Sequence, residues 1–202
     1  MNKIFSRRIL IATSIYPIFI LLLLVPQVYS YVDRVDMDYF NLADEQAKGL
    51  LHLVEKYHLN KGVYYELAKG DYKFIINEAK FILRYFPNHP RGLTLLGLAS
   101  IKTHKYRLPI SFYKKALRLY PQYAVTHAQY GVYLLKTGNI DQGISKLKKA
   151  IEINPKLDKA YVWLANAYYT KGNIELSRKT AKKARKLGYR GKIIGEDKKG
   201  VK

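Results

Sequence analysis

Five histidines and fifteen carboxylates are the side chains from which this 202-residue chain could assemble acid–base or metal chemistry, because it has no cysteine. Their spacing assembles neither. His52 and His58 stand six apart, His89 and His104 fall in or near expected turns, and His127 occupies a core position of a helical pattern. No HExxH, CxxC or GxSxG pattern and no glycine-rich phosphate loop occurs. Asp33, Asp36 and Asp38 form a stretch without the glycine and the closing glutamate of a calcium loop. No metal, no cofactor and no catalytic role is expected. What the composition offers is recognition. Lys and Arg number 36, the formal charge is +21, and 19 tyrosines accompany a single tryptophan, Trp163. Cations supply a long-range field and buried aromatics supply short-range anchoring.

A 34-residue beat supplies the scaffold that must hold those side chains. Pro87, Pro121 and Pro155 keep it, with Tyr189 in the next slot. Gly70, Gly138 and Gly172 keep it too, and His104 fills the one slot without glycine. A period in this range marks stacked supersecondary units. The units are 90–123, 124–157 and 158–191, after a degenerate one at 59–89. Position 8 of each carries a small residue (Gly97, Gly131, Ala165), as does position 27 (Ala116, Ala150, Ala184). Position 7 is bulky (Leu96, Tyr130, Leu164). Small residues facing large ones let two helices interdigitate at about 8–10 Å.

Taken together, the period and the glycine, alanine and proline positions resemble the tetratricopeptide repeat (TPR) family from about Lys56 to Tyr189. The resemblance implies an all-α fold, a right-handed superhelical solenoid of antiparallel helix pairs, preceded here by an N-terminal signal or anchor helix. In that family the first helix of each pair lines a concave groove. The matching positions are Arg91, Thr94, Leu95, Leu98 and Lys102, then Val125, Ala128, Gln129, Val132 and Lys136, then Lys159, Val162, Trp163, Asn166, Tyr169 and Thr170. The family's two-carboxylate clamp needs Lys at position 5, where Thr94, Ala128 and Val162 stand, so no clamp is expected. The groove would instead take an extended segment or amphipathic helix of a partner protein, with Trp163 and Tyr169 as anchors.

Both ends depart from the repeat. Asp38–Tyr57, within an N-terminal region at 31–58, reads as one separate helix, with Asp44 and Glu45 near its start. At positions 21 and 28 the sequence reads Ile76, Ile110, Ile144, Arg178 and Leu83, Leu117, Ile151, Arg185. The last unit is therefore polar where its predecessors are apolar, as a capping repeat must be. Residues 192–202 read as a basic mobile tail. At the other end, Lys3, Arg7 and Arg8 precede an apolar run from Ile9 to Pro26, and Val28 and Ser30 suit a signal peptidase. Residues 1–30 are thus a cleaved leader, or residues 9–26 an inner-membrane anchor. Either exports the repeats to a bacterial periplasm.

Charge is one-sided. Between Glu78 and Asp141 there is no acidic residue, and ten Lys or Arg occur. A second basic patch comprises Arg178, Lys179, Lys182, Lys183, Arg185, Lys186, Arg190 and Lys192. An acidic protein, an anionic membrane surface or an anionic polysaccharide could answer this field. Export and the lack of a recognised module disfavour nucleic acid. The expected function is a non-enzymatic TPR scaffold in a cell-envelope assembly such as secretion, pilus or polysaccharide machinery. The alternative is a peripheral binder of anionic lipid or polysaccharide through the basic C-terminal half.

Overall fold

The computed structural model describes residues 35–196, so the leader or anchor expected at residues 1–30 and the last six residues lie outside the described residues. Among the described residues, those from Asp36 to Glu196 are one compact unit. Its helices are α1 (Glu45–His58), α2 (Lys61–Lys69), α3 (Tyr72–Tyr85), α4 (Pro90–Lys102), α5 (Leu108–Leu119), α6 (Ala124–Lys136), α7 (Ile140–Ile153), α8 (Asp158–Thr170) and α9 (Ile174–Lys186). No strand occurs among the described residues. Helices α2 to α9 form four consecutive hairpins, each packed on the next, and α1 lies against α3. None of the described helices is long and apolar enough to cross a membrane.

The 34-residue beat is a beat in backbone conformation. Gly70, Gly138 and Gly172 end their helices' hairpin turns at φ of 86°, 83° and 77°. His104 adopts the same left-handed region at φ 58°, so the turn is kept at the cost of strain. Its Nδ1 and the Tyr106 hydroxyl, 2.7 Å apart, form a hydrogen bond that helps hold it there. Pro109 sits in the first turn of α5, where no N–H is missed.

Apolar residues from both helices of each hairpin fill the space between repeats. Leu96, Leu134, Leu147 and Ala150 are fully buried, and Tyr113 stacks on Tyr130 with centroids 5.0 Å apart. The Tyr113 hydroxyl donates to the Leu93 carbonyl at 3.3 Å, and burial raises its pKa. Where α6 meets α7 both surfaces are glycine. A Cβ on Gly131 would lie 2.8 Å from Leu147 Cγ and 3.0 Å from the Gly143 carbonyl oxygen.

The N-terminal region differs from the single expected helix over Asp38–Tyr57. Helix α1 starts seven residues later, where the Asp44 carboxylate accepts from the Ala47 N–H at 2.7 Å. Residues 36–41 form a strap across two inter-repeat turns instead. Asp36 and Met37 donate backbone N–H groups to the carbonyls of Arg84 and Tyr85. The Asp38 carboxylate accepts from Asn88 Nδ2 and the Tyr123 hydroxyl, each at 2.6 Å, and Lys115 pairs with Asp36 at 2.5 Å. Hence Asp36 and Asp38 are a staple between repeats. Helical periodicity cannot reveal this, because the partners lie 48 to 85 residues away in sequence.

His89 is fully buried and caps α4. Its Nδ1 accepts from the Gly92 N–H at 3.2 Å, so the ring proton sits on Nε2, 3.1 Å from the Glu55 carboxylate. Burial lowers its pKa, outweighing the pull of Glu55, and burial also lowers that of His127. As pH falls through about 6.5, the unfolded chain therefore protonates before the folded one. Stability is level above about pH 7 and declines below about 6.5, until the folded histidines also protonate. Thermal midpoints recorded from pH 5 to 8 should show this fall, with a shallower slope in His89→Asn. An equal slope in that variant would remove His89 from the explanation.

Candidate partner-binding face

The residues expected in the groove come from α4, α6 and α8, the first helices of three successive repeats. Leu98, Ala128, Val132 and Trp163 are half-buried, and the last three pack on the core between α6, α7 and α8. Arg91, Lys102, Lys136 and Lys159, on the same three helices, are all exposed. The Lys136 ammonium lies 5.8 Å from the Trp163 ring centroid, a cation–π contact joining α6 to α8. Arg91 lies over the Tyr64 ring and donates through Nε to its hydroxyl at 3.0 Å, which ties α4 to α2. Gln129 spends its amide on α4, donating to the Pro90 carbonyl at 2.8 Å and to Thr94 Oγ1 at 3.0 Å. Thr94 and Gln129 are thus a seam between repeats more than contact groups.

Several sequence expectations change here. Leu95 and Val162 are buried and take no part in any accessible surface. Val162, Asn166 and Tyr169 are covered by residues 193–195 of the same chain. Ile193 is only 1% exposed, sealed among Val162, Ala165, Ala181 and Ala184. The Ile194 N–H donates to Asn166 Oδ1 at 3.0 Å, and the backbone of Gly195 lies against the Tyr169 ring. Residues 192–196 are therefore a packed cap and not part of a mobile tail. The reason is that the small-residue surface of α8 and α9, Ala165, Ala181 and Ala184 with Val162, takes Ile193. The signal was the Ile193-Ile194 pair inside an otherwise basic stretch.

Arg185 likewise leaves the basic patch. It grips the Glu196 carboxylate with Nε and Nη2 and donates through Nη1 to the Tyr189 carbonyl at 2.8 Å. That grip holds the Glu196 carboxyl below its ordinary range. Arg178, Lys179, Lys182, Lys183, Lys186, Arg190 and Lys192 are exposed. No three His, Asp or Glu side chains among the described residues come together as a metal site.

Known proteins bear on this arrangement at two levels. The TPR repeat family model matches residues 131–172, and a tetratricopeptide repeat model matches residues 158–187. Among solved structures, MamA 41-end from Desulfovibrio magneticus RS-1 is similar at 17% identity and a TM-score of 0.50, covering 71% of this chain and 86% of its own. A crystal structure of MamA shares 23% identity at a TM-score of 0.48, over 71% of this chain and 87% of that one. YrrB, whose structure describes a TPR protein with an unusual peptide-binding site, shares 17% identity at a TM-score of 0.49, over 86% and 82%. No curated protein matches the chain in sequence. The hairpins built on the 34-residue beat are tetratricopeptide repeats, matched by that family's models across residues 131–187.

Proposed function

We propose that the chain is an interaction scaffold that holds an acidic, amphipathic segment of a partner protein against α4, α6 and α8. The observation carrying this is the match between an apolar strip and its one-sided rim. Leu98, Val132 and Trp163 are half-buried, the exposed Arg91, Lys102, Lys136 and Lys159 lie on the same three helices with Lys136 over the Trp163 ring, and α4 and α6 contain no carboxylate. Apolar anchors supply affinity, and the cations select the partner's charge and speed its arrival. Because residues 193–195 cover Val162, Asn166 and Tyr169, the surface on offer ends at Trp163.

Peptides selected from a random display library on the wild-type array should be acidic with apolar anchors. The double variant Trp163→Ala, Lys136→Glu should bind them at least about tenfold more weakly, since a hot-spot aromatic is worth about 2 kcal/mol or more. Its thermal midpoint should stay close to wild type, because both residues lie at the edge of the core. Selected peptides without acidic residues, or equal binding by the double variant, would sink the proposal.

Under the same proposal, the capture takes place in a bacterial cell envelope. What supports this is the order of Lys3, Arg7 and Arg8 before the apolar run Ile9–Pro26. A second reading, docking to anionic lipid or polysaccharide, draws support from the exposed Lys179, Lys182, Lys183 and Lys186 of α9. Exposed charge contacts are screened over about 8–10 Å at physiological salt, so that binding alone would vanish on raising ionic strength.

A further inference from the structure

A second basic site lies away from the inner face, in an open cleft of about 740 Å³ between α3 and the α4–α5 turn. Lys73, Asn77 and Lys80 enter it from α3, on successive turns of one helix face, with Ile76 on its wall. Lys105, Tyr106 and Arg107 enter it from the turn. None of the residues expected on the partner-binding face is shared with it.

Three features suit this cleft to an anion. The first is its charge. Lys73, Lys80, Lys105 and Arg107 bring four cations and the lining has no carboxylate. Among the described residues none of the four has an ion-pair partner, whereas Lys115 and Lys171 elsewhere pair with Asp36 and Asp141. Gathering four like charges without relief is unfavourable, and an anion in the cleft removes that cost. The second is rigidity. The turn is fixed by the left-handed His104, by the Lys105 N–H on the Ser100 carbonyl at 2.8 Å, and by the Tyr133 hydroxyl on the Tyr106 carbonyl at 2.6 Å. The opposing helix α3 is anchored by fully buried Ile75, Ala79 and Ile82. The third is size, which falls within the roughly 300–1,000 Å³ of small-molecule sites.

We propose that this cleft binds a compact, multiply charged phosphoryl anion. Compactness follows from the shape: four cations meet in one depression, which a long, sparsely charged polymer would match poorly. Phosphoryl groups follow from the donors, since Lys takes a phosphate oxygen as a point charge and Arg takes two through its planar fork. A single carboxylate would leave about three of the four charges unanswered. Neighbouring phosphates, as in a polyphosphate or a polyphosphorylated lipid headgroup, answer them together. Asn77 adds a neutral donor, and Ile76 and Tyr106 give an apolar edge beside the charged floor.

The test compares two variants with the same change in charge. Lys80→Glu, Arg107→Glu alters the cleft from both sides. Lys182→Glu, Lys183→Glu makes an equal change on exposed α9. Both pairs are exposed, so folding should persist in each, as checked by thermal midpoint. Inorganic tripolyphosphate is titrated calorimetrically at moderate salt, and flotation is measured with vesicles of phosphatidylcholine containing phosphatidylinositol 4,5-bisphosphate. The expected result is tripolyphosphate binding weakened at least about tenfold by the cleft variant and little by the α9 variant. Vesicle binding with the same pattern, without tripolyphosphate binding, assigns the phosphoryl group to a lipid headgroup. No binding to either probe, or equal loss in the two variants, overturns the site. Because the test never involves a peptide, its outcome is separate from that of the partner-binding face.

Discussion

Replacing Gly131 with leucine should lower stability by about 3 kcal/mol, near the upper end for overpacking a close-packed interior. For a domain of this size, that is a fall of roughly 6–12 °C in thermal midpoint. The site leaves no soft neighbour. A Cβ there meets Leu147 Cγ at 2.8 Å, the Gly143 carbonyl oxygen at 3.0 Å and the Leu147 nitrogen at 3.2 Å, and the last two are backbone atoms of α7. Relief requires α6 and α7 to separate, which unpacks the buried side of Leu134 and Leu147 as well. A second substitution isolates the steric term. Gly138 has φ 83° and nothing within 4 Å of the place a Cβ would take, so Gly138→Ala carries only the left-handed strain, about 1–2 kcal/mol. Melting followed by far-UV circular dichroism gives both numbers. If Gly131→Leu costs no more than Gly138→Ala, the close approach of α6 and α7 is wrong.

Ile193→Asp should cost a similar amount through a different route. Ile193 is the apolar plug over Val162, Ala165, Ala181 and Ala184, and only 1% of it is exposed. Removing a buried Ile side chain to Ala costs about 2–5 kcal/mol, and a carboxylate in its place adds desolvation. The charge would escape by releasing residues 193–196, which also gives up the Ile194–Asn166 hydrogen bond and the Arg185–Glu196 pair. Two readouts follow. The midpoint falls by several degrees, and amide exchange quickens in α8 and α9 before it does in α4 to α7. Arg185→Ala, which loosens the same segment without changing the plug, should show a weaker form of the same exchange pattern. Unchanged exchange in α8 and α9 would mean that the segment does not cap the array.

Much of this architecture was legible because repeat packing is written in local chemistry. Position 8 must be small in every copy, and Gly97, Gly131 and Ala165 announce it without any knowledge of partners. The left-handed turn is equally visible at Gly138 and Gly172, and His104 betrays the one strained copy. The inner-face residues were harder, because position in a repeat does not say what lies on top of it. Val162 and Trp163 are adjacent in sequence and read alike, yet one is buried beneath Ile193 and the other stands beside Lys136. The strap at Asp36 and Asp38 was invisible for the same reason: its acceptors and donors are contributed by turns one and two repeats away.

The division is physical. Period, helix content, the small-residue faces and the charge asymmetry depend on composition and on spacings of a few residues, so the order of amino acids settles them. Which face stays open depends on how the segments flanking the repeats return to the stack. Residues 36–41 and 192–196 carry no helical pattern; the first is held by hydrogen bonds and the Lys115–Asp36 pair, the second by hydrogen bonds, the Arg185–Glu196 pair and the buried Ile193. Only the assembled stack creates the surfaces that bind them, and with them the boundaries of the surface left for a partner.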